Sequence, residues 1–309
     1  MTERLNRPRR LVVFGAGTMG CDIAVVFLAG GWQVDLISPS AGTRAAVPAR
    51  IKRALERISA PAVAAECASV HGTLDSINWK GVDLVIEAVT EDLALKRQLM
   101  QEIESQVSAD TPLASNTSTF SIGRISDGMR HPQRVLGMHF FMPAHLVPLV
   151  EVISGEHTDA SLAESMVSLL KQLGKMPIWV KKDVPGFVGN RLQHAMLREA
   201  LFLMEDGVAT AEEIDIAVRF GFGFRFLACG PILQKEMSGW DTNQRAGAAL
   251  YPHLHQETHY PAGMERMVNK GHTGMKALHG VWQWTEESAA ETKAQIELRL
   301  SAAMTLLNR

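Results

Sequence analysis

Cysteine is scarce in this chain and none of it is paired. Of 309 residues only Cys21, Cys67 and Cys229 are cysteines, far apart and with no CxxC spacing. That excludes a disulfide framework and points to reduced thiols in a cytoplasmic protein. Excess charge is also missing: 31 Lys and Arg against 33 Asp and Glu leave a net −2, which removes the electrostatic footprint of a nucleic-acid partner. Arg4, Arg7, Arg9 and Arg10 make the N-terminus basic, but the apolar run behind them is too short for a signal-peptide core. No stretch reaches the roughly 20 apolar residues of a membrane span. There is no internal repeat and no low-complexity segment. What remains is a soluble globular composition, 46% hydrophobic and 21% charged, on a chain long enough for two domains.

The most informative segment that is present is Leu11 to Gly20, LVVFGAGTMG. A short apolar strand runs into Gly15, Ala16, Gly17, Thr18, Met19 and Gly20, and a helical apolar run, Ile23 to Leu28, follows. Each glycine has a physical reason in a dinucleotide site. Gly15 allows the tight turn, Gly17 lets the backbone approach a pyrophosphate, and Gly20 lets the helix pack on the strand. The N–H groups that open the helix then hold phosphate.

Beyond it the spacing predicts strands at 33–37, 83–89, 112–115, 134–140, 149–153 and 178–180. Helices are predicted at 44–58, with Pro48 in the first turn, at 93–107 and at 162–173. Alternating strands and helices imply a Rossmann-type, doubly wound parallel sheet. Near Lys181 to Gly186 the pattern turns wholly helical, with segments 190–206, 211–220 and one from Glu286. The expected division is residues 1–184 for the dinucleotide domain and 185–309 for an all-helical substrate and dimerisation domain. His253, His255 and His259 invite a metal reading, but YPHLHQETHYP has no ligand framework and reads as a solvated loop or lid, so no metal is expected.

From Leu11 to about Trp284 the chain resembles the 3-hydroxyacyl-CoA dehydrogenase family. Six motifs stand in family order: GAGTMGCDIA, IEAVTEDLALK, SNTS, HFFMP, LVEVI and PGFVGNR. The resemblance implies His139 as general base with Glu151 as its partner, and Ser118 and Asn190 holding the reacting oxygen. It implies NAD as cofactor, contacted by Gly15, Gly17, Thr18, Met19, Gly20, Ser38, Glu91, Lys96, Asn116, Ser118 and, on a loose match, Lys276. It also implies a homodimer built through the helical domain. The residue types suit the chemistry, since oxidising an alcohol needs a proton acceptor near neutrality, and a carboxylate on the far imidazole nitrogen fixes the tautomer.

Four departures shape the substrate expectation. Ser38 stands where an acid would bind the adenosine ribose, which leaves NADP open; Arg44 is placed to meet a phosphate, while Pro39 occupies the usual position of an arginine. Met142 replaces the asparagine of HFFNP and cannot supply its amide hydrogen bond. The segment before IEAVTED is short, and Ala54 and Pro61 fall where the family's CoA-contacting serine and lysine would stand. GFGFR at 221–225, Gly230-Pro231 and Pro148 are closer to relatives acting on free acids, the L-carnitine dehydrogenase and lambda-crystallin type. Arg225 is then the substrate-binding carboxylate anchor. The expectation is a hydride transfer at C3 of a small free 3-hydroxy acid. The alternatives are a short-chain 3-hydroxyacyl-CoA substrate, or a structural or sensor protein that has lost turnover.

Overall fold

A computed structural model describes residues 8–307; the basic Arg4 and Arg7 lie outside the described residues. The chain divides into two compact units, 1–191 and 192–309.

The first unit runs β1 (Arg10–Phe14), α1 (Thr18–Ala29), β2 (Gln33–Ile37), α2 (Ala41–Arg57), β3 (Ala68–His71), β4 (Leu84–Glu87), α3 (Leu93–Glu104), β5 (Leu113–Ser115), α4 (Ile122–Ile125), β6 (Val135–Phe140), β7 (Leu149–Ser154), α5 (Ala160–Gln172) and β8 (Met176–Val180), and ends in the first residues of α6 (Gly189–Glu205). Its eight strands lie in the order β3-β2-β1-β4-β5-β6-β7-β8. The strand period of two divides the core between the faces: Leu11 and Val13 pack in one cluster, Val12 and Phe14 in the other. Helix α1 is buried continuously from Gly20 to Leu28, as expected of a helix that is apolar on nearly every side. The strand order reverses between β1 and β4, and the crevice at such a switch point is where open α/β sheets bind ligands.

The sheet departs from the expected all-parallel form at one edge. Strand β7 runs antiparallel to β6, and β8 is parallel to β7. Only residues 141–148 join β6 to β7, too few for the crossover of a dozen or more residues that a parallel pair requires. Helix α2 begins earlier than expected because Ser40 caps it, its hydroxyl accepting from the Thr43 N–H. Pro48 therefore lies inside the helix, where it removes the bond to the Arg44 carbonyl, and not in the first turn. The edge strand β3 has no apolar alternation and escaped the periodicity reading.

The second unit is helical: the rest of α6, then α7 (Ala211–Ile216), α8 (Gly223–Arg225), α9 (Pro231–Ser238), α10 (Trp240–Leu250), α11 (Ala262–Asn269) and α12 (Glu286–Leu307). The helix expected over 211–220 stops at Ile216 and widens into π-type turns, broken at Gly221 (φ −89°, ψ −105°). No helix among the described residues is long and apolar enough to cross a membrane.

Candidate active site

The glycine turn has the geometry its sequence suggested. Gly15 sits at φ +93°, and a Cβ there would lie 2.4 Å from the Ala88 carbonyl oxygen. A Cβ on Gly20 would fall 1.6 Å from the Gly15 oxygen, whereas at Gly17 nothing stands within 4 Å. Gly17 and Thr18 are exposed, and α1 opens with no side-chain cap and no acidic residue in its first turn. Its first N–H groups thus face open space at the switch point, which fits a dinucleotide pyrophosphate.

Across the β6–β7 ladder His139 and Glu151 are register partners. Nδ1 of His139 and Oε2 of Glu151 are 2.8 Å apart, and both side chains are buried. The other oxygen, Oε1, accepts from the N–H groups of Val188 and Gly189, both at 2.9 Å. Burial alone would raise the Glu151 pKa, but the bond from His139 and the two amides outweigh it and hold the carboxyl below its ordinary range. The His139 ring packs against Phe141 and Phe187, with centroids 4.7 and 5.7 Å away. With Nδ1 engaged, Nε2 is the nitrogen left for proton transfer.

The elements beside this pair bring up the polar residues. Asn116, just past β5, accepts through Oδ1 from the Phe140 N–H at 2.9 Å, which ties its loop to the residue after His139. Ser118 follows two residues on and is half-buried. Asn190 is the second residue of α6, directly after the two amides that bind Glu151, and it too is half-buried.

Glu91 and Lys96 are committed to an internal network that sequence reading did not anticipate. Lys96, 1% exposed, donates to Oε1 of Glu87 at 2.7 Å and lies 3.2 Å from Oε2 of Glu91. Glu87 is fully buried at the end of β4, with Oε2 taking the Ser115 hydroxyl at 2.6 Å. Oε1 of Glu91 accepts from Thr117, from the Ser118 N–H and from Thr119. Desolvation opposes its charge, yet the Thr117 and Thr119 hydroxyls and Lys96 lower its pKa to about 2. Lys96 therefore acts on this loop from within. The signal was available: an acid closing the buried strand LVIE needs a cation.

Ser38 is buried at the tip of β2, with Arg44 donating to its carbonyl. Met142 is exposed. In the second unit Arg225 sits on α8, and its Nε and Nη1 donate to the Gln234 side-chain oxygen at 3.1 Å in the amide orientation that satisfies both groups. It lines a cavity of about 670 Å³ with Phe224, Lys235 and Leu306. Lys276 is exposed in a short turn. His255 pairs with Asp206 and Glu257, both at 3.3 Å, and stacks on Phe202. No group of three or more metal-ligating side chains forms among the described residues.

Residues 10–184 match the NAD-binding domain of 3-hydroxyacyl-CoA dehydrogenase, and residues 186–284 match its C-terminal domain. The chain belongs to the 3-hydroxyacyl-CoA dehydrogenase family. It is 32% identical over 303 residues to 5-formyl-3-hydroxy-2-methylpyridine 4-carboxylate 5-dehydrogenase of Mesorhizobium japonicum, covering 97% of this chain and 98% of that one. It is 33% identical over 285 residues to 3-hydroxybutyryl-CoA dehydrogenase of Clostridioides difficile, 90% of this chain and 100% of the relative. Among solved structures, a 5-formyl-3-hydroxy-2-methylpyridine 4-carboxylic acid 5-dehydrogenase, described as an NAD+ dependent dismutase, superposes with a TM-score of 0.90 at 28% identity, over 98% of this chain and 99% of that one. The (S)-3-hydroxybutyryl-CoA dehydrogenase of Ralstonia eutropha gives 0.72 at 32% identity, over 91% and 100%. This family member is an NAD-dependent dehydrogenase.

Proposed function

We propose that the protein oxidises a small hydroxy acid carrying a free carboxylate, with His139 as the base and Glu151 as its partner. The observation that carries this is the filled hydrogen-bonding of Glu151, which keeps it ionised beside the histidine. An ionised Glu151 accepts the Nδ1–H of His139, so the lone pair stands on Nε2 and takes the hydroxyl proton of the substrate. The imidazolium that results is stabilised by the same carboxylate. Ser118 and Asn190 offer donors to the reacting oxygen, and Phe141 and Phe187 keep water from the imidazole. The bound nicotinamide dinucleotide supplies the hydride acceptor.

The free-acid preference has its own support. Ala54 is buried in α2 and Pro61 lacks a donor, so neither replaces a CoA contact. Arg225 is pre-positioned by Gln234, with Lys235 lining the same cavity, as carboxylate recognition requires. The relative with the higher TM-score has a carboxylate and no thioester in its substrate name. The likeness to 3-hydroxybutyryl-CoA dehydrogenases favours the second reading, a short-chain thioester. The working form is a cytoplasmic homodimer.

The test is NAD reduction by the purified protein, with free 3-hydroxy acids run against L-3-hydroxybutyryl-CoA. Turnover on a free acid, with KM raised about tenfold or more by Arg225→Gln, is the expected result. Preference for the thioester establishes the second reading. No turnover on either class removes both substrate readings.

A further inference from the structure

The glycine turn and the tip of β2 are one unit. The Gly15 N–H donates to the Ile37 carbonyl at 2.9 Å, so the residue after Ile37 stands where a dinucleotide's adenosine ribose would lie. In this fold a carboxylate there binds the ribose hydroxyls and repels a 2′-phosphate. Here it is Ser38, and the nearest acid on the strand is already neutralised: Asp35 pairs with Nη2 of Arg10 at 2.7 Å and with Nε2 of His71 at 2.9 Å.

Arg44 supplies the opposite charge. It leaves the first turn of α2 and folds back to this tip, where Nη1 donates to the carbonyls of Ser38 at 2.7 Å and Pro39 at 2.8 Å. Two carbonyls fix the guanidinium and neutralise none of its charge, and no carboxylate pairs with it among the described residues. Nε and Nη2 keep their donors, and the plane is set before any ligand arrives. On one flank stands Gly72, where even a Cβ would come within 3.4 Å of Nη1, and Arg44 is half-buried. The hydroxyls of Ser38 and Ser40 lie on the same turn.

We infer that this tip is a 2′-phosphate site, so that the protein takes NADP-type dinucleotides as well as NAD, with Arg44 as the anchoring cation. The inference rests on the glycine turn being a dinucleotide site, and the test separates the two. Adenosine 2′,5′-bisphosphate and 5′-AMP, which differ only by the 2′-phosphate, are titrated calorimetrically into the whole protein at low salt. The bisphosphate binds about tenfold or more tighter, as a charge-assisted contact to phosphate predicts. The ratio falls towards one in Arg44→Gln, and in Ser38→Asp, which restores the repelling acid; thermal melts confirm that both variants are folded. Added salt shrinks the wild-type ratio. Equal binding of the two nucleotides, or a preference that survives Arg44→Gln, overturns the inference and leaves the dinucleotide site standing. Binding of neither nucleotide overturns the inference as well, since the tip then offers no phosphate anchor.

Discussion

A carboxylate with no exposed surface keeps its charge only if its lone pairs are filled, and Glu151 fills them with Nδ1 of His139 and the amides of Val188 and Gly189. Glu151→Gln keeps the shape and loses the charge, so the imidazolium is no longer stabilised and the tautomer is no longer fixed. kcat is expected to fall about 10²–10⁴-fold, the range for loss of acid–base catalysis, and His139→Gln falls at least as far. Cofactor binding, followed by fluorescence titration, should persist in both. Loss of binding together with turnover would show instead that the pair is structural. Gly189 tests the same contact from the other side, since a Cβ there would stand 2.5 Å from Cζ of Phe141. Gly189→Ala therefore pushes the first turn of α6 off Glu151, and kcat should drop while the dinucleotide still binds. Glu91 carries a separate, pH-dependent prediction. Its folded pKa of about 2 lies below the unfolded value of about 4.3, so its stabilisation is complete above pH 5 and is lost as pH falls towards 2. The melting-temperature gap between wild type and Glu91→Gln should narrow from pH 5 to pH 3; a constant gap would remove the charge from the explanation.

Helix α1 and the β6–β7 connection are held together by charge as well as by packing. Asp22, the one charged residue in the buried run of α1, accepts from the Ala144 N–H at 3.1 Å, while Nζ of Lys175 donates to the carbonyl of the same residue. His145 lies 3.2 Å from the other Asp22 oxygen. The clamp fixes the phosphate-facing helix against the connection that follows His139. Burial lowers the Lys175 pKa to about 8, with Asp22 opposing the shift. Between pH 8 and about 10.4 the unfolded lysine keeps a proton that the folded one has released, so raising the pH favours the folded state in this window. Urea titrations should show wild type gaining on Lys175→Met from pH 8 to 10, and a flat difference would refute the assignment. Asp22→Ala strands a buried N–H and should cost about 1–3 kcal/mol. Very little of this clamp was legible beforehand, because its members are 22, 144 and 175 in sequence and only the sheet joins them. The glycine turn was legible, since each glycine answers a local steric demand. The pairing of His139 with Glu151 lay between these cases: both residues stood out, but their contact depends on an antiparallel register that follows from the eight-residue connection. Lys96 was placed beside the cofactor by the family resemblance; what helical spacing did not reveal is its pairing with the buried Glu87.

At the scale of the whole chain, the two units differ in how they use apolar surface. The first unit buries both faces of its sheet in continuous clusters. In the second, Phe202, Gly247, Pro261 and Ala289 are the buried residues among those described, whereas Phe220, Ile232 and Met237 are 69, 69 and 79% exposed. A helical layer that leaves this much apolar surface in water gains little from its own packing, and such patches mark association surfaces. The predicted occupant is a second copy of the chain, as the family resemblance implies. Sedimentation should then give twice the chain mass of 33.8 kDa at micromolar concentration, and the melting temperature should rise with protein concentration, as mass action requires for a folded dimer. Placing aspartate at both Phe220 and Met237 puts like charges onto exposed apolar surface and, within the chain itself, gives up the Arg219 contact over the Phe220 ring and the Met237 edge of the Arg225 cavity. If that face joins two copies, the double variant sediments as a monomer and melts at a temperature independent of concentration. If the wild-type chain is already monomeric under these conditions, the exposed helices serve some other contact and the dimer is withdrawn, with the His139–Glu151 chemistry of the first unit unaffected.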